Sequence, residues 1–194
     1  ANTNSGNTVK DSALLLADDT FRLGTQSVYN IHMYQSGYVT TPNQASFNAY
    51  TPAVTSGGNT IIFSSERHDT GSNYNVTKTT TVFRANANEG DSSANVNYDT
   101  GRDLAQSTAF QNVLSIIGNG NDECASGYLH LFNPSSTTFV KHFIATTNNY
   151  DSGNNSQIFY VSGYCNTTTA IDGVQLKFSS GNIDAGNICL YGIA

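Results

Sequence analysis

The sequence predicts an all-β protein: an antiparallel, jelly-roll-like β-sandwich with a short N-terminal arm. Three observations carry this. Apolar residues recur with a period of two in short runs, the pattern of strands with one buried face. Clusters of Gly, Asn, Ser and Asp break these runs at spacings of roughly 8–12 residues, as in sandwiches and jelly rolls. The chain holds 11 Tyr and 10 Phe, no Trp and only 11% charged residues. Its polar remainder is mostly Asn, Ser, Thr and Gly, which favour turns and sheet edges over helix interiors.

Taken in order, residues 1–8 are almost wholly Asn, Thr, Ser and Gly and read as a tail that a partner can order. Ala13–Leu16 and Phe21–Leu23 are short apolar runs that read either as strands or as parts of an extended arm, residues 1–27, lying on a neighbour. A single sandwich domain follows over residues 28–194, and a domain of this size buries ~70% of its unfolded surface. Val28–Tyr34 alternates, with Tyr29, Ile31 and Met33 on one face and Asn30 and His32 on the other. Glu89–Gly101 reads as a polar loop, and Arg102–Thr108 as the one helical turn, with Asp103 near an N-cap position. Val113–Ile117 reads as an apolar strand. Tyr128–Phe132 and Phe139–Thr146 form a strand pair around the turn Asn133-Pro134-Ser135-Ser136. Ile158–Tyr164 is a further strand. The last stretch reads as a hairpin: Val174, Leu176 and Phe178, a turn through Gly181 and Asn182, then Ile188, Leu190, Tyr191 and Gly192. A terminus tied into a sheet in this way is expected to lie centrally in the fold.

The formal net charge is −6 and no Lys/Arg stripe is present, which argues against nucleic acid and against an anionic membrane surface. No apolar run approaches the ~20 residues that span a bilayer, so membrane insertion is not expected. The first residues lack the apolar core of a signal peptide. The cysteines Cys124, Cys165 and Cys189 are three, an odd count without a CxxC spacing. They read as free thiols of a protein made in a reducing cytoplasm, not as a zinc site.

Motifs with chemistry are few. Asp-Thr-Gly occurs twice, at Asp69–Gly71 and Asp99–Gly101, the tripeptide of aspartic-protease loops in which two carboxylates share a proton. Both copies sit in polar, loop-rich stretches where Asp-x-Gly is ordinary turn chemistry, so no catalytic residue is assigned. His130 and His142 fall on neighbouring strands and, with Asp122 or Glu123, form one conceivable metal set, and oxygen ligands of the Asp/Asn-rich loops a conceivable calcium set; solvent-side or interfacial histidines are the better reading, and no metal or other cofactor is assigned. The Asp/Asn-rich loops Glu89–Asp103 and Asn119–Glu123 lack EF-hand spacing. No Walker loop, GxGxxG, HExxH or GxSxG occurs. Tyr74, Tyr98 and Tyr150 stand in Asn- and Ser-rich loops, where an exposed ring can stack on a sugar or a partner.

Two resemblances add to this. The ending SSGNIDAGNICLYGIA and the block Asn121–Phe143 resemble two blocks of a family of tailed-bacteriophage virion structural proteins: a Ser-Gly-Asn-Ile turn with a final Leu-Tyr-Gly-Ile strand, and a strand entering an Asn-Pro-Ser-Ser-Thr turn. Tyr38–Arg84 is similar to the opening of C1q/TNF-like jelly-roll domains, through Pro-x-x-x-Phe-x-Ala-Tyr, Asp-x-Gly-x-Asn-Tyr and a Thr-rich strand ending in Phe-x-Ala. The resemblances imply a non-enzymatic protein of the virion's outer surface, made in the host cytoplasm. Its implied partners are itself, as a homotrimer, and the major capsid protein or tail components. Small size points to capsid decoration (cement); the alternative is a tail-fibre or adhesin tip that binds host-surface glycans. Deleting residues 1–10 is expected to leave the sandwich folded and to abolish attachment to particles.

Overall fold

The computed structural model describes residues 12–14, 19–22, 28–35, 61–67, 73–118, 120, 122–180 and 187–193. Twelve strands follow in order: β1 (Ser12–Leu14), β2 (Asp19–Arg22), β3 (Val28–Gln35), β4 (Ile61–Arg67), β5 (Lys78–Asn88) and β6 (Ala94–Tyr98), then β7 (Gln111–Asn112), β8 (Ala125–Phe132), β9 (Lys141–Tyr150), β10 (Asn155–Cys165), β11 (Ile171–Phe178) and β12 (Asn187–Ile193). They form an eight-stranded sheet, β1-β12-β3-β8-β9-β10-β5-β6, and a four-stranded sheet, β2-β11-β4-β7. All pairings are antiparallel.

The order is that of a jelly roll. Setting aside β5-β6 and β9-β10, the remaining strands pair as a long ribbon folded at its middle: β1 with β12, β2 with β11, β3 with β8, β4 with β7. Rolling that ribbon closes the further pairs β12-β3 and β11-β4. Apart from β4 and β7 at the fold of the ribbon, successive roll strands then alternate between the two sheets, which is how this architecture covers an apolar face without a single long sheet. The two inserted hairpins pair β10 with β5 and extend the larger sheet beyond β8.

Alternation sets which residues enter the core. In β9 Phe143 and Ala145 are buried between exposed His142 and Ile144. Phe63 of β4 meets Phe143 across the two sheets, ring centroids 5.2 Å apart. Leu129, Leu131, Phe159, Val161, Val174, Leu176 and Ile188 fill the remaining interior. Gly163 stands inside β10 because a Cβ there would lie 2.6 Å from the Thr79 carbonyl oxygen.

Several expectations change. Of residues 1–27, Ser12–Leu14 and Asp19–Arg22 pair as β1 and β2, the strand reading of the two apolar runs over the arm reading; residues 1–11, 15–18 and 23–27 lie outside the described residues. β11 and β12 do not form a hairpin, because the roll sends them to opposite sheets. β12 does lie inside its sheet, between β1 and β3, with Leu190 opposite Ile31, Tyr191 opposite Asn30 and Gly192 opposite Tyr29. Gly181 and Asn182 lie outside the described residues. Arg102–Thr108 forms turns and a bridge of Ser107 to Lys78, not a helical turn, because Thr79 and Thr80 capture the backbone N–H groups of Gln106 and Leu104. Val113–Ile117 is a coil, buried except at Ile116, held by Thr147 Oγ1 donating to the Val113 carbonyl at 2.8 Å and Asn149 Nδ2 to that of Ile116 at 2.8 Å. Glu89–Gly101, read as a loop, contains β6. Among the described residues no helix is long and apolar enough to cross a membrane.

Candidate functional site

The outer face of the larger sheet, away from the core, carries a pattern that neither hairpin shows alone. Register places Tyr128, Thr146, Tyr160, Phe83 and Tyr98 in one row across five strands. The next row is Ser126, Asn148, Ile158, Ala85 and Val96; on the other side lie His130, Ile144, Ser162 and Thr81. These rows hold no Asp, Glu, Lys or Arg. Phe83, Tyr160, Ile144, Tyr98 and Tyr128 are 39–50% exposed and Val96 is 82% exposed. Phe83 and Tyr98 meet edge to face, 5.4 Å between centroids. The Tyr98 hydroxyl donates to Asp103 Oδ2 at 2.7 Å, and that bond raises its pKa. A charge-free face with several exposed aromatic rings is a candidate interaction surface.

The inner face hides a second cluster. Lys141, Cys165 and Lys78 are register partners on β9, β10 and β5, and all three are fully buried. Lys78 Nζ donates to Ser64 Oγ at 3.0 Å and to the Val76 carbonyl at 2.7 Å. Burial lowers the Lys78 pKa to about 8, with the neighbouring Cys165 opposing the shift. Lys141 donates to the Thr167 and Thr169 carbonyls, at 3.1 and 2.7 Å, and its pKa is also lowered by burial. Burial pushes the Cys165 thiol up, so it stays protonated. A hydroxyl beside an amine of lowered pKa is the chemistry of Ser-Lys nucleophiles. Here the Ser64 hydroxyl spends its proton on the Tyr74 carbonyl, 2.5 Å away, and both side chains are sealed from solvent. The cluster therefore reads as a structural clamp that holds Tyr74 at φ 43°.

This clamp sets a pH dependence. Below pH 8 both folded and unfolded states carry the Lys78 proton, so its burial cost is constant. Above pH 8 the folded state releases the proton first, the unfolded state binds more, and stability rises. The rise is expected to be roughly 1 kcal/mol between pH 8 and pH 9. Lys141 adds in the same direction, and Cys165 opposes it above its ordinary pKa. Denaturant melts of Lys78→Met should lose that increment relative to the native chain; parallel pH curves for the two would contradict it.

The residues singled out in the sequence separate. Tyr98 joins the aromatic row. Tyr74 does not lie exposed on a loop: it is 7% exposed, its backbone fixed by Ser64. Tyr150 is half-buried at the far end of β9, its hydroxyl donating to Asn154 Oδ1 at 3.0 Å. Asn133 takes the left-handed turn position at φ 47°, and buried Pro134 accepts the Ile171 N–H at 2.8 Å, so this turn ties the β8-β9 connection to β11. Asp99 is ion-paired with Arg102, 2.6 Å, and Arg84, 3.7 Å, which makes the second Asp-Thr-Gly an anchor of the β5-β6 hairpin. The first lies outside the described residues. His130 sits opposite Ile144, not His142, and stacks beside Tyr128 at 4.9 Å. Glu123 folds back on the Gly120 N–H. Among the described residues no group of three or more His, Cys, Asp or Glu is placed to hold a metal ion. Cys124 and Cys165 are free thiols. The aromatic row went unseen in the sequence because it needs the β10-β5 register, which joins residues about 80 positions apart. No protein-family model, curated protein or solved structure matches the chain.

Proposed function

We propose that this chain is a non-enzymatic structural protein on the outer surface of a tailed-phage virion, where it decorates the capsid. The observation that carries the reading is the charge-free aromatic face spanning β8, β9, β10, β5 and β6. Such a face gains most when it is covered by protein, since aromatic residues are enriched and charges depleted at interface cores. The resemblances of residues 121–143 and 179–194 to phage virion proteins support the same reading. The mechanism is burial: the face docks on the major capsid protein, the chain associates with itself, and many copies add up to shell stability. The homotrimer is proposed from the C1q/TNF-like likeness. Free Cys124 and Cys165 suit synthesis in a reducing host cytoplasm.

A second reading, a tail-fibre tip that binds glycans, draws on one observation. Tyr98, Tyr160 and Phe83 offer ring faces next to the Ser162 and Asn148 side chains, the mixture that sugars stack on and hydrogen-bond to.

Tyr160→Glu separates these from a merely structural face. Tyr160 is 47% exposed, so the change should leave stability within about 0.5 kcal/mol. Binding to particles stripped of the protein should be lost. Full re-decoration by the variant contradicts the docking face. Binding of the isolated native chain to host-surface glycans, abolished by Tyr98→Ala, favours the second reading.

A further inference from the structure

We infer that β6 is a self-pairing edge: two copies of this chain join β6 to β6 antiparallel, centred on Val96, and continue the larger sheet across a two-fold axis. The argument starts from the backbone. The ladder between β5 and β6 is bracketed by Asp99 N–H to the Val82 carbonyl, 2.9 Å, and Asn88 N–H to the Ser93 carbonyl, 3.0 Å. With that register, Asn95 and Asn97 turn their backbone groups towards β5, and Ala94, Val96 and Tyr98 turn theirs outward. β6 ends the sheet, and among the described residues no strand pairs with its outer side. Natural edges are blunted by Lys, Pro, bulges or inward charges. β6 has none of these, and all five of its residues are exposed.

The occupant follows from the sequence of the edge itself. Ala-Asn-Val-Asn-Tyr is close to palindromic about Val96. Antiparallel self-pairing sets Val96 against Val96 of the second copy, each Asn95 against Asn97, and each Ala94 against Tyr98. The outward groups then fall into hydrogen-bonded pairs without residue. Side chains agree with this register. Val96, 82% exposed, gains its own twin as neighbour. Tyr98 is bulky and its opposite, Ala94, is small. Beside Ala94 runs a shallow groove of about 380 Å³ lined by Ala85, Ala87, Val96 and Ile158, so no bulky side chain blocks the approach of a second strand there. A two-fold axis normal to the sheet also turns both aromatic faces the same way, so two paired copies present one continuous face. An isologous edge closes on itself and does not propagate into fibres.

The inference concerns the chain in solution and stands apart from the virion reading. Light scattering of the full chain over a concentration series is expected to give an even multiple of 20.7 kDa, a dimer or, with the homotrimer proposed above, a hexamer of two trimers joined through β6. Val96→Pro removes an outward N–H that no bond among the described residues uses, and Val96→Lys sets like charges across the axis; each should halve the mass with an unchanged melting curve. The native chain supplies an independent readout. The amides of Ala94, Val96 and Tyr98 should exchange slowly at high concentration and fast on dilution. A native mass of one chain or an odd multiple, a mass that neither variant changes, or fast exchange of these amides at every concentration overturns the pairing.

Discussion

Phe143→Ala is expected to cost ~3–5 kcal/mol of folding stability, the range for truncating a fully buried aromatic. Phe143 is wholly buried and is the β9 side of the contact that joins the two sheets, with Phe63 as its partner at 5.2 Å. The loss combines transfer of the ring to water with the cavity left between sheets, which cannot close without moving β4 or β9. Against a total of ~5–15 kcal/mol this is a large fraction. The thermal midpoint should fall by on the order of 10 °C. Phe139→Ala is the control: Phe139 is 68% exposed, and its loss should stay within about 0.5 kcal/mol. Equal melting of the native chain and Phe143→Ala would mean that the sheets do not pack face to face there.

Asp99→Ala is expected to destabilise by roughly 2–3 kcal/mol, below the range for a sealed ion pair because Arg84 keeps contact with water. The Asp99 side chain is 10% exposed and sits between two guanidiniums, Arg102 at 2.6 Å and Arg84 at 3.7 Å. Arg102 lies over the Phe159 ring at 5.7 Å, and its carbonyl accepts from Gln111 at 3.0 Å. Removing the carboxylate leaves two cations facing each other against that ring. The turn after β6 should loosen first, so hydrogen exchange at Asp99 and Arg102 should rise ahead of global unfolding. If exchange there is unchanged and only global stability drops, the pair acts on the whole sandwich and not on the inserted hairpin.

Much of the sheet was legible because alternation reports faces directly. β3, β8, β9, β10 and β11 stand where period two places strands. Partner choice is a different matter, since alternation is blind to which sheet a strand joins. That is why β11 and β12 read as a hairpin and part into two sheets. β6 was hidden because Ala-Asn-Val-Asn-Tyr carries a single β-branched residue and lies fully in solvent, so no burial pattern marks it. Val113–Ile117 misled in the opposite way. Val113, Leu114 and Ile117 are buried, but Thr147 and Asn149 satisfy its carbonyls in place of a neighbouring strand. At the candidate site, Tyr98 could be singled out from its polar surroundings. Its row-mates Tyr128, Tyr160 and Phe83 could not, because only long-range register brings them together. The Lys141-Cys165-Lys78 row was hidden for the same reason, and because a lysine in a strand is ordinarily read as facing water.

The measurement that tests the decoration reading most directly is the copy number of this chain per purified particle, by quantitative mass spectrometry against the major capsid protein. Decoration through the aromatic face requires a ratio near that of the capsid protein itself. A handful of copies per particle, or none, would contradict it.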